Sequence, residues 1–489
     1  MLTSHTHQAR APSPVPSDRR RLMLTVGLAV LGVFVTYVPI TAVSAALATI
    51  GHATGASTSD LQWVSDAYVI PMAAAVLSAG LFGDLYGRRR VFLGGMALTL
   101  IGAAVAGLSS AADPATAIRM LWAGQAISGL GAGLLLPTTL ALIATVVPNP
   151  KDRGKYIGIW ATGLLLGLAA GPLLSGVILD HASYGWTFLP TVGLAAIAGA
   201  AALARLPESK APEGRRLDWP GQITATIAIA ASIYGVIEGG SKGWSAPVTI
   251  AGLCTGAAAF TAFIVAERRS ASPLVNLTLF KSAAFTAAGF SALISLFSVV
   301  GVTFLLSLYL GYIQHLSALQ IGERLLFVTA VAAAVNPVIG LVMHKAKVIY
   351  LLTAGLALSA VAVFLLTGID AQTSLAGLGW RLAVFGLSIA IMLTTVSVAA
   401  INAVPWKQAG MAAATNTALR QYGSALGPAI LGVIFVARTN SGASPTTALH
   451  TALIVNGILL AVAALACLLA ARTPKRDTTK GKVIRWKPS

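Results

Sequence analysis

Gly80-Leu81-Phe82-Gly83-Asp84-Leu85-Tyr86-Gly87-Arg88-Arg89-Arg90 interrupts a chain that is otherwise almost free of charge. An apolar stretch, 62–82, runs into it and another, 91–110, runs out of it. Gly83 and Gly87 let the backbone turn tightly and approach a second helix end. Asp84 can accept hydrogen bonds at a helix N-terminus or pair with an arginine. The consecutive arginines are placed to sit at the headgroup level of a membrane. A loop that served topology alone would need the arginines but not the glycine and aspartate spacing.

The surrounding composition fixes the class. The chain has 489 residues, is 56% hydrophobic and is only 10% Asp, Glu, Lys and Arg, against roughly 25% in soluble proteins. Its mean hydropathy is +0.81. An ordinary cytosolic enzyme and a disordered chain are both excluded. Two cysteines, Cys254 and Cys467, lie inside apolar runs and cannot build a secreted disulfide scaffold. Abundant glycine, 49 residues, suits helices packed closely in lipid. The net charge of +18 is dispersed among short loops, so it does not form the contiguous patch that nucleic acid requires.

A spanning helix needs about 20 apolar residues. Fourteen such stretches are expected, near 22–50, 62–82, 91–110, 119–147, 156–178, 187–205, 219–238, 247–266, 284–310, 322–342, 349–368, 380–403, 410–436 and 447–471. The first follows Arg19, Arg20 and Arg21 and is too long for a signal-peptide core, so it is read as an uncleaved anchor. With the N-terminus inside, 27 of the 33 lysines and arginines fall in cytoplasmic segments. External loops hold Arg119, Lys242, Arg324, Arg381 and Arg438, and Arg420 falls within a span. Acids divide far more evenly, as the positive-inside rule for Lys and Arg allows. An even number of spans returns the basic C-terminal tail to the cytoplasm, where both basic termini are solvated, lipid-facing charge.

Polar interruptions at 206–218 and 267–282 divide the spans into six, two and six. The expected organisation is a cytoplasmic tail (1–21), a six-helix bundle (22–206), cytoplasmic loops with a central two-helix insert (207–283), a second six-helix bundle (284–471) and a basic tail (472–489). The outer blocks carry traces of duplication. Gly171-Pro172-Leu173-Leu174-Ser175-Gly176-Val177-Ile178 and Gly427-Pro428-Ala429-Ile430-Leu431-Gly432-Val433-Ile434 both read GPxxxGVI, each in the fifth span of its block. The stretch from Gly340 to Val348 is a degraded copy of Gly80 to Val91. Repeated halves flanking a central site are a common plan for secondary transporters.

The loop from Gly80 to Arg90 resembles the signature loop of the major facilitator superfamily, GxxxDxxGRR. The Gly171-Pro172 segment is similar to the antiporter motif of that superfamily. Fourteen spans, with Leu61-Gln62-Trp63-Val64-Ser65-Asp66-Ala67-Tyr68 opening the second, resemble its fourteen-helix drug:proton antiporter branch. The resemblance covers about 22–471. It implies an all-α polytopic membrane protein of the major facilitator fold with helices arranged 6 + 2 + 6. It also implies that Gly80, Gly83, Asp84, Gly87, Arg88 and Arg89 form a conformational latch between two halves.

Other candidates follow from the residues themselves. Gly163, Gly167 and Gly171, with Gly176 beyond, mark a smooth stripe for close contact with a neighbouring helix, and Pro172 removes one backbone bond. This antiporter-motif helix is a candidate hinge or seal. Gly124, Gly129, Gly131 and Gly133 form a similar cluster in span four. Asp66 lies roughly 7 Å into span two, where an ionisable group is costly and functional by default. It is the candidate proton carrier or cation counter-charge. Arg420 can meet substrate, pair with an acid or snorkel to the interface. Tyr37, Gln125, Asn336 and Asn416 are neutral candidates for the cavity. Two departures from the family pattern stand out. Ala46, Leu47, Ile50 and Pro39 stand where an acid in span one is usual. Gln125, ahead of Gly129 and Gly131, stands where the family usually has an arginine.

The reading is a proton-coupled exporter of a small molecule in the inner (plasma) membrane of a bacterium, both termini cytoplasmic, working by alternating access. An uptake symporter of the same superfamily is the alternative. No HExxH, GxxxxGK[ST] or CxxC pattern occurs, so no metal, no cofactor and no enzymatic chemistry are expected. The expected partners are the substrate, protons and the lipid bilayer, not nucleic acid.

Overall fold

The computed structural model describes residues 16–147, 150–210, 218–343, 346–404 and 408–472. The expected cytoplasmic tails therefore fall largely outside the described residues. The described chain folds into fourteen α-helices with no strand among them. They are α1 (Pro16–Thr54), α2 (Thr58–Tyr86), α3 (Arg88–Leu108), α4 (Pro114–Val146), α5 (Pro150–Leu179), α6 (Leu189–Arg205), α7 (Trp219–Lys242) and α8 (Pro247–Arg269). The remaining six are α9 (Ala283–Tyr312), α10 (Ala318–Val342), α11 (Val348–Leu366), α12 (Leu375–Asn402), α13 (Ala409–Asn440) and α14 (Pro445–Arg472).

Local signals set the helix starts. Ser57 and Asp60 form a reciprocal capping box at α2: the Asp60 amide donates to Ser57 Oγ at 3.2 Å, and the Ser57 amide donates to Asp60 Oδ2 at 2.9 Å. Asp113, followed by Pro114, caps α4 by accepting from the Thr116 amide at 3.1 Å. Hydrogen bonds from the Thr116 side chain and amide hold the Asp113 carboxyl below its ordinary range. Its capping therefore persists above that range and is lost only as pH falls through the lowered value. Ser282 and Ser374 cap α9 and α12 in the same way.

Thirteen of the described helices are long and apolar enough to cross a membrane. Helix α2, bent by 55° between Val76 and Ser78, makes a fourteenth if its halves form one span. Large apolar side chains are exposed along many of these helices, among them Ile101, Leu166, Ile197, Phe260 and Leu469. Apolar cover on that scale marks a surface made for lipid. The most apolar stretch of α9 is 89% buried and that of α8 only 28%, so α9 is a central helix of its unit and α8 a peripheral one.

The chain divides into two compact units. The first holds residues 1–217 with 317–323; the second holds 218–316 and 324–489. In the first, α1 packs on α5 and α4, α2 on α4, and α3 on α4 and α6. In the second, α9 packs on α13, α14 and α12, and α11 on α12 and α14. The α7–α8 hairpin belongs to the second unit, where Ser232 on α7 hydrogen-bonds Tyr422 on α13 at 3.0 Å.

The duplication hinted at by GPxxxGVI extends through both units as a repeated packing register. Gly167 and Gly171 on α5 lie against the carbonyls of Phe34 and Val38 on α1. Gly423 and Gly427 on α13 lie against the carbonyls of Leu293 and Phe297 on α9. One turn earlier the sizes exchange: Gly163 faces Val30, whereas Leu419 faces Gly289. In the other seams, Gly129 meets the Tyr68 carbonyl and Gly386 the Val328 carbonyl. Gly95 likewise meets Leu135, and Gly355 meets Ile391 and Met392. In a bilayer the apolar effect does not drive helices together, so such close backbone contacts carry the association.

Gly129→Val would force a side chain onto the Tyr68 carbonyl, whereas Gly94 has open space around it. The expected outcome is that Gly129→Val loses about 1–3 kcal/mol of stability by overpacking, seen as a lower midpoint in a thermal melt of the detergent-solubilised protein. Gly94→Ala should leave the midpoint unchanged.

Candidate functional site

Helix α2 begins at Thr58, a turn before its apolar run, so Asp66 lies about 12 Å along it. Its residue exposure is 0%, and neither carboxylate oxygen has a hydrogen-bond partner. The adjacent Ser65 hydroxyl is also unpartnered. Around it α1, α2 and α4 are stitched together by side chains that bond to backbone. Gln125 Nε2 donates to the Val64 carbonyl at 3.3 Å, and Trp122 Nε1 to the Asp60 carbonyl at 3.2 Å. The hydroxyl of Tyr68, itself fully buried, donates to the Thr36 carbonyl at 2.6 Å. Tyr37, 4% exposed, is the next residue on α1. Of the sequence candidates, Asp66, Gln125 and Tyr37 thus share one three-helix neighbourhood. Three carbonyls of α1 and α2 are satisfied there, and the Asp66 carboxyl is left without a partner.

The loop after α2 is equally specific. Gly87, at φ +107°, breaks α2 from α3 in a conformation that side chains avoid. Arg88 reaches back across the break to Asp84 at 2.9 Å. The residue that organises the rest is Glu208, which the sequence reading treated only as linker. Its Oε1 accepts from the Arg89 amide at 3.1 Å and from the Ser209 amide at 3.0 Å. Its Oε2 lies 3.8 Å from the Arg90 guanidinium. The Arg88 amide donates to the Ser209 carbonyl at 2.9 Å, and the Arg89 guanidinium to the Leu203 carbonyl. The Glu208 carboxylate occupies the space a side chain at Gly87 would need. Gly83 lies against the Arg88 side chain and Gly80 near Pro137. The only sequence signal for Glu208 was an acid at the third position of a polar interruption, which many linkers share.

On α5, the Gly163, Gly167 and Gly171 stripe is the contact surface for α1, and Gly176 is buried beyond it. The Pro172 carbonyl lies against Gly322, in the 317–323 stretch of the same unit. In the second unit Asn336 accepts a hydrogen bond from the Thr394 hydroxyl, joining α10 to α12. Asn416 is 1% exposed, and neither its oxygen nor its nitrogen has a partner. Arg420 follows one turn later with a buried, unpartnered Nε. Asn416 and Arg420 share one face of α13; Asn336 joins a different pair of helices.

The repeated register supplies a control for these residues. Aligned through the packed glycines, Asp66 corresponds to Leu326, Gln125 to Leu382, Asn336 to Val76, Asn416 to Trp160 and Arg420 to Leu164. The same scaffold position is filled by an apolar residue in the other unit each time, so folding does not require the polar group. Among the described residues no group of three or more His, Cys, Asp or Glu could hold a metal.

The profile of the Major Facilitator Superfamily matches residues 29–428. The chain belongs to that superfamily. It is accordingly a transporter and a multi-pass membrane protein rather than an enzyme, and superfamily members handle small molecules. It is 31% identical over 431 residues to "Multidrug resistance protein Stp" of Mycobacterium tuberculosis, covering 87% of this chain and 78% of that one. It is 29% identical to "Tetracenomycin C resistance and export protein" of Streptomyces glaucescens, covering 89% and 81%. The "Methylenomycin A resistance protein" of Bacillus subtilis is 28% identical, with 83% and 85% covered. Among solved structures, a POT family transporter superposes with a TM-score of 0.69 at 14% identity, covering 91% of this chain and 96% of that one. The human organic anion transporter MFSD10 gives 0.61 at 16% identity, covering 93% and 100%. At those identities the superposition speaks for the fold alone.

Removing the Glu208 carboxylate should loosen the superfamily's signature loop without unfolding the bundle. Glu208→Ala is expected to speed amide hydrogen exchange in residues 84–90 by about tenfold, the loss of a charged hydrogen bond, with Glu208→Gln intermediate. Unchanged exchange would show that the loop holds itself.

Proposed function

We propose that this transporter is a proton-coupled exporter of small organic molecules, drugs or antibiotics among them, working by alternating access. What carries the reading is one observation: a fully buried carboxyl group, Asp66, with no partner for either oxygen, in a chain similar to proteins named for resistance and export. Intramembrane carboxylates of this kind mark ion and substrate pathways. The apolar counterpart of Asp66, Leu326, supports a role beyond folding.

In the proposed cycle the two outer six-helix blocks, 22–206 and 284–471, rock about a central cavity, and the insert within 207–283 flanks them. Both termini face the cytoplasm of the bacterial cell, as the bias of Lys and Arg requires. Asp66 takes a proton from outside and gives it up inside, and that proton drives the return of the emptied carrier. Substrate enters from the cytoplasm or inner leaflet and meets the neutral polar groups Tyr37, Gln125, Asn336 and Asn416. The Asp84–Arg88 pair and the Gly83 and Gly87 turns act as the latch that secures the outward-open state. The Gly163, Gly167, Gly171, Pro172 and Gly176 helix seals the halves against uncoupled leak. No metal or cofactor enters the cycle.

Everted vesicles energised with a proton gradient provide the test, with tetracenomycin C and methylenomycin A, the compounds named for the relatives, as trial substrates. The wild type is expected to dissipate the gradient on substrate addition and to accumulate substrate inside the vesicle. Asp66→Asn should reduce both by at least about tenfold, with an unchanged size-exclusion profile. Full coupling in Asp66→Asn would remove Asp66 from the mechanism, and substrate moving out of everted vesicles would identify an uptake carrier instead.

A further inference from the structure

Arg420 is a cation inside an apolar helix with no ion-pair partner among the described residues. It makes no hydrogen bond or ion pair; the ion pairs among the described residues are Arg88–Asp84, Arg90–Glu208 and Lys242–Glu238. The described acids of its own unit make their contacts with other groups, Glu238 with Lys242. Asp218 accepts from the Gly221 amide, Glu267 from the Val275 amide, and Asp370 from Thr373 and Gln372. Arg420 lies about 16 Å from the start of α13; the residue is half-buried, and its Nε is buried with no partner.

Asn416 stands one helical turn away, so the two side chains are neighbours on one face. That face continues the stripe of Gly423 and Gly427, which follow Asn416 and Arg420 by seven residues each and lie about 20° from them around the helix. Leu419, Gly423 and Gly427 meet α9, while Tyr422 and Val433 meet α7. At the corresponding places in the first unit, the scaffold uses Trp160 and Leu164 for packing: Trp160 Nε1 bonds Thr139 at 3.0 Å, and Leu164 is buried among apolar neighbours. The second unit has therefore replaced two packing residues with a guanidinium and a primary amide and left both unsatisfied.

We infer that Asn416 and Arg420 form a binding fork for the carboxylate of a small organic anion. This rests on the exporter reading and narrows its substrate class. A guanidinium presents two parallel N–H donors that match the two oxygens of a planar carboxylate, and the Asn416 amide adds donors one turn along the helix. One positive charge beside a neutral amide balances a monoanion. A phosphate dianion would call for a second cation, and α13 carries none within two turns of Arg420 among the described residues. An organic cation would meet Arg420 as a like charge.

Binding to the purified full chain in lipid nanodiscs tests this independently of transport direction. The probes are naphthalene-2-carboxylate, its neutral carboxamide and naphthalen-2-ylmethylammonium. The carboxylate is expected to bind at least about tenfold more tightly than the carboxamide, and the ammonium more weakly than either. Arg420→Gln should erase the difference between carboxylate and carboxamide, Arg420→Lys should keep part of it, and Asn416→Ala should reduce it. Helical circular dichroism and the thermal midpoint identify any variant that fails to fold. Absence of carboxylate binding, equal binding of the amide or the ammonium, or discrimination that survives in folded Arg420→Gln would overturn the assignment. Parallel efflux measurements on cells separate the outcomes: export of a cation with no carboxylate binding leaves the exporter standing and removes the fork.

Discussion

Close backbone contact between helices, made possible by glycine, is the constraint on which the rest of this molecule depends. Lipid offers apolar side chains no reason to leave it, so helices associate only where shape and dispersion favour contact. Here that means Gly167 and Gly171 pressed to the carbonyls of α1 and Gly423 and Gly427 to those of α9. The two seams have the same register, and where the sizes differ they differ reciprocally, Gly163 with Val30 and Leu419 with Gly289. A duplicated scaffold has kept its contact geometry while its side chains diverged.

That divergence makes the functional groups legible. A polar residue that the fold needed would be expected in both copies. Asp66, Gln125, Asn336, Asn416 and Arg420 each have an apolar counterpart in the other copy. Gln125 and Asn336 use their polarity to join helices, through Val64 and Thr394. Asp66, Asn416 and Arg420 use theirs for nothing in their own unit. Charge is thus distributed asymmetrically, a carboxyl in the first unit and a guanidinium with an amide in the second. The account assigns the driving ion to one and the cargo to the other.

Much of this was readable in the sequence. Apolar length located the spans, because a bilayer imposes it directly. The Gly80–Arg90 spacing and the GPxxxGVI repeat located the turn between α2 and α3 and the duplication, because only glycine permits those approaches. Two things were not readable. Glu208 organises the loop from more than a hundred residues away, through backbone amides that leave no mark on composition. The full extent of the repeat was also hidden, because it is conserved as contact register between helix pairs rather than as residue identity.

The central claim is that a single buried carboxyl group exchanges a proton for cargo. The most direct measurement is proton release from the purified protein in weakly buffered solution on addition of a transported compound, read with a pH-sensitive dye. The account predicts release approaching one proton per chain near neutral pH, absent from a folded protein in which asparagine replaces Asp66. Equal release with and without that carboxyl group would contradict it.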